Sequence, residues 1–205
     1  MNQWLHTDEY EEAVSALEFV LEASSRLATD VSRWRWVIIA LHNGLQGFMV
    51  IALRQTDGSG PVPDDVIDRI LAAHRAKQPQ PPERLHKFLV LYRLLRSRRM
   101  DRFVQSKRFQ PLGTQSKSVC RLNQLRNEFI HFTPKGWTLE LVGLPHICLD
   151  CLNVIQFLKS DSGNIFWHDS DLGQRATIAI TALIALFTAL HHEYEIGDEL
   201  TGRVT

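Results

Sequence analysis

Cysteine is scarce in this chain: Cys120, Cys148 and Cys151 are the whole complement. An odd number at no disulfide-framework spacing favours a reducing compartment. Net charge is absent too, with 23 basic against 23 acidic side chains, so total charge names no partner. There is no Gly-rich phosphate loop, no Gly-x-Ser-x-Gly elbow and no His-Glu-x-x-His pair, and those enzyme classes lose their support. The first residues, MNQWLHTDEYEE, are polar and acidic where a secretory leader is basic and then apolar. The most apolar uncharged run, from Ala176 to Leu190, has 15 residues, short of the ~20 that cross a bilayer. The run from Val37 to Leu53 carries His42, Asn43 and Gln46, which disfavours a span there. The expectation is a cytoplasmic protein with no membrane segment, in which Ala176–Leu190 is a buried helix.

What is present is helical periodicity. Residues 8–28 place Ala13, Leu17, Val20 and Leu21 at spacings of three and four behind an acidic first turn. Asp30 is placed to cap a second helix over 31–55, with Trp34, Val37, Leu41, Leu45 and Phe48 on one side. After TDGSGPVPDD come a short helix at 64–76, a break at QPQPP, and a helix from about Pro82 to Arg99 with Leu85, Phe88, Leu89, Tyr92 and Leu95 inward. Helices at 116–132, 146–159 and 171–194 follow. WTLELV reads as a short strand that pairs with NIFWH at 164–168 in a minor β-hairpin within 137–168. The fold class is all-α: one antiparallel helical bundle over residues 1–205.

Charge is unevenly spread. Between Arg84 and Arg126 lie 12 of the 23 basic residues and a single acid, Asp101. Such a block either faces a polyanion or is a solvated surface neutralised by the acidic remainder of the chain. Arg98, Arg99, Arg102, Lys107, Arg108 and Arg121 are the candidate substrate-binding residues. Phe88, Tyr92, Phe103 and Phe109 are interleaved where they would stack on unpaired bases.

The sharpest local feature is Leu125-Arg126-Asn127-Glu128-Phe129-Ile130-His131. On a helix, Leu122, Leu125, Phe129 and Phe132 form the buried stripe, and Cys120, Gln124, Asn127 and His131 form a mostly polar one. Arg126 lies about 140° around from His131, beside that polar stripe. Two other Arg–His pairs fit a similar spacing, Arg69–His74 and Arg35–His42. Both put an apolar residue after the arginine (Ile70, Trp36) and both lie outside the basic segment.

The heptamer resembles the signature of the HEPN superfamily, Arg-x(4–6)-His with a polar residue, often Asn, directly after the Arg. The resemblance covers about 116–132 and, more loosely, the bundle as a whole. It implies a helical domain that pairs with a second copy, so that two motifs make one composite cleft, which in active members cuts RNA without metal. It also implies a microbial toxin, phage-defence or stress-response setting and leaves room for an antitoxin protein. Where such toxins are silenced on a tyrosine two residues past the histidine, this chain has Thr133, so that route is not expected.

The residue types suit RNA cleavage by its own 2′-hydroxyl. A histidine moves protons near neutral pH, and a guanidinium holds phosphate oxygens in a planar two-pronged contact. His131 is the candidate acid or base and Arg126 the phosphate clamp. Asn127 orients imidazole or substrate, with Glu128 as a weaker candidate for that role; no cofactor is called for. A non-catalytic module binding RNA or an acidic protein through the same basic surface stays open, as does a purely structural dimerisation domain. His146-Ile-Cys148-Leu-Asp-Cys151 lacks the second ligand pair of a structural zinc site, and Cys148, Cys151 and Ile155 fit one apolar helix face. His191 and His192 are helix-end histidines before they are metal ligands.

Overall fold

The computed structural model describes residues 3–56, 58–131, 134 and 136–202, with 198–202 as backbone only. Seven α-helices form among them and no strand does. The first, α1 (Glu9–Ser24), begins where Asp8 accepts hydrogen bonds from the Tyr10 and Glu11 amides, with Glu9, Glu11 and Glu12 in its positive first turn. Asp30 caps a short 3₁₀ turn, Val31–Arg33, that runs directly into α2 (Trp34–Leu53). This second helix is the axis of the molecule. Thirteen of its residues are buried, and it packs on α1 along most of its length.

The two helices run antiparallel, since Glu9 at the start of α1 pairs with Arg54 just past the end of α2. Their axes come close because Gly47 has no side chain: a Cβ there would lie 2.7 Å from the Cβ of Ala13. Gly47→Ala is expected to lower stability, because a rigid clash of this kind costs ~1–3 kcal/mol against at most ~1 kcal/mol of gained helix propensity. Thermal unfolding checks this, and a raised melting temperature would contradict the account.

The remaining layers follow in order. A short peripheral helix, α3 (Asp64–Arg75), buries only Val66. The next, α4 (Phe88–Leu94), is much shorter than the expected 82–99. Lys87 is extended and the His86 amide donates to the Pro61 carbonyl, so the chain after the prolines is tied to the preceding loop instead of coiling. Arg98–Met100 is a separate 3₁₀ turn. The fifth helix, α5 (Gln115–Ile130), packs on α6 (Leu144–Gln156), which continues as one wider π-type turn, Phe157–Asp161. The last, α7 (Ser170–Gly202), packs on α6 and α1.

The expected hairpin does not form. Residues 137–142 form neither helix nor strand and rest against the helices with Leu139 and Leu141 inward, and Ile165 and Trp167 pack the same way from 164–168. The alternation of side chains is real, but each segment rests on helices.

The run Ala176–Leu190 is buried on one face only. Ala176, Ala179, Ile180, Leu183 and Phe187 are inside, whereas Ile178, Ala185 and Ala189 are exposed. Beside them the hydroxyls of Thr177 and Thr188 turn back to carbonyls of their own helix. By length and composition alone, Val31–Leu53 and Ser170–Gly197 are each long and apolar enough to cross a membrane. Two thirds of the apolar window of the first is buried in the fold and one third of the second.

At one end of the bundle, Arg175 on α7 donates to Glu11 and Glu18 on α1. At the other end, Trp34 stacks on Phe187 and donates its indole N–H to the Tyr194 hydroxyl, 3.3 Å away.

Candidate functional site

The helix α5 carries the Arg126–His131 segment at its C-terminal end. Leu122 and Leu125 are fully buried and anchor the helix, while Phe129 is half-buried; Phe132 and Thr133 lie outside the described residues. The helix stops at His131, whose amide still donates to the Asn127 carbonyl while its own ψ of 96° leaves the helix. The imidazole is exposed at a cavity of about 390 Å³. Ser32 from the 3₁₀ turn, Arg35 from the first turn of α2, Glu128 and Phe129 from α5, and Trp137 share its lining. The Phe129 and Trp137 rings meet at 5.1 Å, and Trp137 stays exposed, so an imidazole, a guanidinium, a carboxylate and an aromatic face share one opening.

Neither Arg126 nor Asn127 lines that cavity. The half-buried Arg126 points toward the α2 side of α5, with Nη1 donating to Asn127 Oδ1 at 3.1 Å. No carboxylate among the described residues stands within ion-pair distance of it. Next to it is His42, in the middle of α2 and only 2% exposed. The His42 ring stacks on Phe88 at 3.8 Å and its Nε2 meets Asn123 Oδ1 at 3.1 Å. Burial pushes its pKa down to about 4, the bond to Asn123 opposes that, and the nearby Arg126 charge adds to the lowering. The neutral ring therefore donates from Nε2, which leaves Nδ1 as an acceptor. That Nδ1 and the Arg126 Nε–H are both buried without a partner among the described residues. One is an acceptor and the other a donor, and each carries the cost of a buried polar atom left unpaired.

The basic segment does not gather around His131. Arg98, Arg99 and Arg102 line another cavity, of about 440 Å³, with Gln55 and Thr56 from just past the end of α2. The His131 cavity opens on the first turn of α2. At ~1.5 Å per residue, roughly 30 Å of helix separates the two. Part of the basic charge is neutralised within the chain: Arg99 by Asp64 at 2.6 Å, Arg108 by Asp101 in a two-pronged pair, and Arg84 more loosely by Asp65. Lys107 and Arg121 are exposed.

The interleaved aromatics need correction. Phe88, Tyr92 and Phe109 are core residues, no more than 7% exposed, and only Phe103 faces solvent. Their spacing reflected packing of α4 and the following loop against the bundle.

Sequence reasoning missed Arg35, Trp137, His42 and Asn123 as neighbours of the motif. His42 carried the one usable signal, an imidazole on the apolar face of a mostly apolar helix. The other three meet the motif only through the fold.

A second polar cluster joins α5 to α6. Asp150, 8% exposed, accepts from Ser118 Oγ at 2.6 Å and Thr114 Oγ1 at 2.8 Å. His146 Nε2 reaches the same Thr114 hydroxyl at 2.8 Å, and its ring lies 5.4 Å from that of His191. Because Thr114 has one proton to give and the carboxylate takes it, His146 donates and Thr114 is not activated as a nucleophile. Cys148 and Cys151 are fully buried core residues, and burial raises both thiol pKa values. No protein-family model matches this chain, and neither a curated protein nor a solved structure does.

Proposed function

We propose that the protein is a metal-independent endoribonuclease of the HEPN type, acting in the cytoplasm as a homodimer, in a toxin, phage-defence or stress-response role. The observation that carries this reading is His131 itself. It is an exposed imidazole at the end of α5, five residues past an arginine that no acid among the described residues pairs with, at a cavity shared with Arg35 and the Trp137 ring.

In the reaction, a base removes the proton of the 2′-hydroxyl, O2′ bonds to the adjacent phosphorus, and the P–O5′ bond breaks. O5′ takes a proton and a 2′,3′-cyclic phosphate remains. His131 moves a proton, and guanidinium groups hold the charge that gathers on the phosphoryl oxygens. Arg35 is the cation that lines the same cavity among the described residues, and Trp137 offers a face for an unpaired base. Since Arg126 does not line the His131 cavity, its part in this chemistry comes through a second copy. The uncharged exposed strip of α7, with Ile178, Ala185 and Ala189, supports such pairing. An antitoxin protein fits the same reading as a further partner.

A second reading, a non-catalytic binding module for RNA or an acidic protein, is favoured by the separation of the arginine cavity from His131. Purified protein incubated with labelled total RNA in EDTA tests the two. Fragments with cyclic-phosphate ends from wild type, lost in His131→Ala and Arg126→Ala, support the ribonuclease. Intact RNA with salt-sensitive binding supports the module. Equal cutting by wild type and His131→Ala places the site elsewhere.

A further inference from the structure

At the far end of α2, Arg98, Arg99 and Arg102 line one concavity with Gln55, Thr56 and Phe103. Like charges gathered in a partly desolvated place are costly unless something neutralises them. Arg99 has Asp64. Asp101, also in the lining, is turned to Arg108, whose Nε donates to it at 2.8 Å. For Arg98 and Arg102 no carboxylate among the described residues lies within ion-pair distance. Burial lowers the Arg102 pKa and the Arg54 charge adds to that, against the pull of the Tyr10 hydroxyl, so Arg102 is a cation held short of counter-charge.

The protein holds it there firmly. Arg102 Nη1 donates to the Asn164 carbonyl at 3.3 Å. The buried Asn164 side chain in turn donates to the Met100 carbonyl at 2.9 Å and accepts from Ser106 Oγ at 2.6 Å. Gly163 makes this fit possible: its φ is +70°, and a Cβ on it would lie 3.0 Å from the Gln105 carbonyl oxygen. The cavity thus has a braced wall. On its rim, Phe103 (42% exposed) carries the Arg102 guanidinium 5.2 Å from its ring centre and meets the exposed Phe166 edge-on at 5.1 Å.

We propose that this cavity is a binding site for a phosphate group carried on a nucleoside, with Arg98 and Arg102 on the phosphate and the Phe103/Phe166 pair against the base. The volume of about 440 Å³ is within the range of small-molecule sites. Guanidinium groups match phosphate oxygens two at a time, and an aromatic rim selects a planar base over a bare anion. The site is about 30 Å of helix away from His131 and stands independently of the ribonuclease reading. The phosphate has two possible sources, a free nucleotide or the 5′ end of an RNA chain.

The test is calorimetric titration of the full-length protein with inorganic phosphate, uridine, adenosine and uridine monophosphates, and a 2′-O-methyl oligonucleotide with a 5′-phosphate or 5′-hydroxyl. The 2′-O-methyl groups prevent cleavage, so failure of the ribonuclease reading leaves this measurement intact. The expected result is saturable binding of the phosphorylated ligands, with uridine at least tenfold weaker. Arg98→Ala should weaken binding roughly tenfold or more and Phe103→Ala severalfold. Both Arg98 and Phe103 are exposed, so a circular-dichroism melt should show both variants folded; Arg98→Gln serves if the alanine variant is not.

A tenfold preference for the 5′-phosphorylated oligonucleotide over both its 5′-hydroxyl form and the free monophosphates supports the site with an RNA end as source. Tighter binding of the monophosphates supports it with a free nucleotide. No saturable binding of any phosphorylated ligand, unchanged binding in Arg98→Ala, or tighter binding of an oligoglutamate peptide overturns it.

Discussion

Alanine in place of His131 is expected to lower RNA-cleavage turnover by ~10²–10⁴-fold, the usual worth of a positioned proton-transfer group. The same change should move the unfolding free energy by no more than ~0.5 kcal/mol, because the side chain is exposed at a helix end. Loss of rate without loss of fold separates chemistry from scaffolding. Because Arg126 does not line the His131 cavity, the proposal has a sharper test. In a composite dimer site, His131→Ala still supplies Arg126, and Arg126→Ala still supplies His131. Mixing the two inactive variants then gives a heterodimer with one intact site of two. With random exchange, half the dimers are mixed, so activity should return to about a quarter of wild type. If each site were built within one chain, no mixture would recover activity, and the composite arrangement would be wrong.

Below neutral pH the fold is expected to weaken because of His42. Its pKa lies at about 4 in the folded protein against 6.5 ordinarily. Between those values the unfolded chain binds a proton that the folded chain refuses, so stability falls as pH is lowered from 6.5 to about 4 and levels off below. At ~1.36 kcal/mol per unit, the full loss is on the order of 3 kcal/mol. His86, lowered by burial and by Arg99, acts in the same direction. Glu18 and Asp101, lowered by their arginine partners, act only below the ordinary carboxylate range, so the window tells the groups apart. Urea unfolding at pH 7, 6, 5 and 4.5 should show this slope in wild type and a flatter one in His42→Gln, which cannot titrate. Identical slopes for the two proteins would show that His42 is not the group responsible.

Helix positions were legible in the sequence wherever apolar residues repeat at three and four, as in α1, α2 and α5. Legibility failed where a local pattern has two physical causes. WTLELV alternates because every other side chain rests on a helix, a pattern that a sheet also produces. Phe88, Tyr92 and Phe109 are interleaved with arginines because they enter the core there, and the same interleaving would suit stacked bases. The Pro82–Arg99 helix was overextended because the bond from the His86 amide to the Pro61 carbonyl is invisible in sequence. At the candidate site, the Arg126–His131 spacing was readable, but its surroundings were not. Arg35 and Trp137 reach the His131 cavity from 96 residues upstream and six downstream, and Asn123 finds His42 across 81 positions.

The length of α2 has a consequence for any experiment on this protein. The two cavities open at its two ends, roughly 30 Å apart, while charges in physiological salt are screened within ~8 Å. A substitution at Arg98 and one at His131 share no partner and lie several screening lengths apart. Their free-energy effects should therefore simply add within a single chain. A measured departure from additivity would mean that one ligand touches both ends, and its sign would say whether that ligand helps or hinders itself.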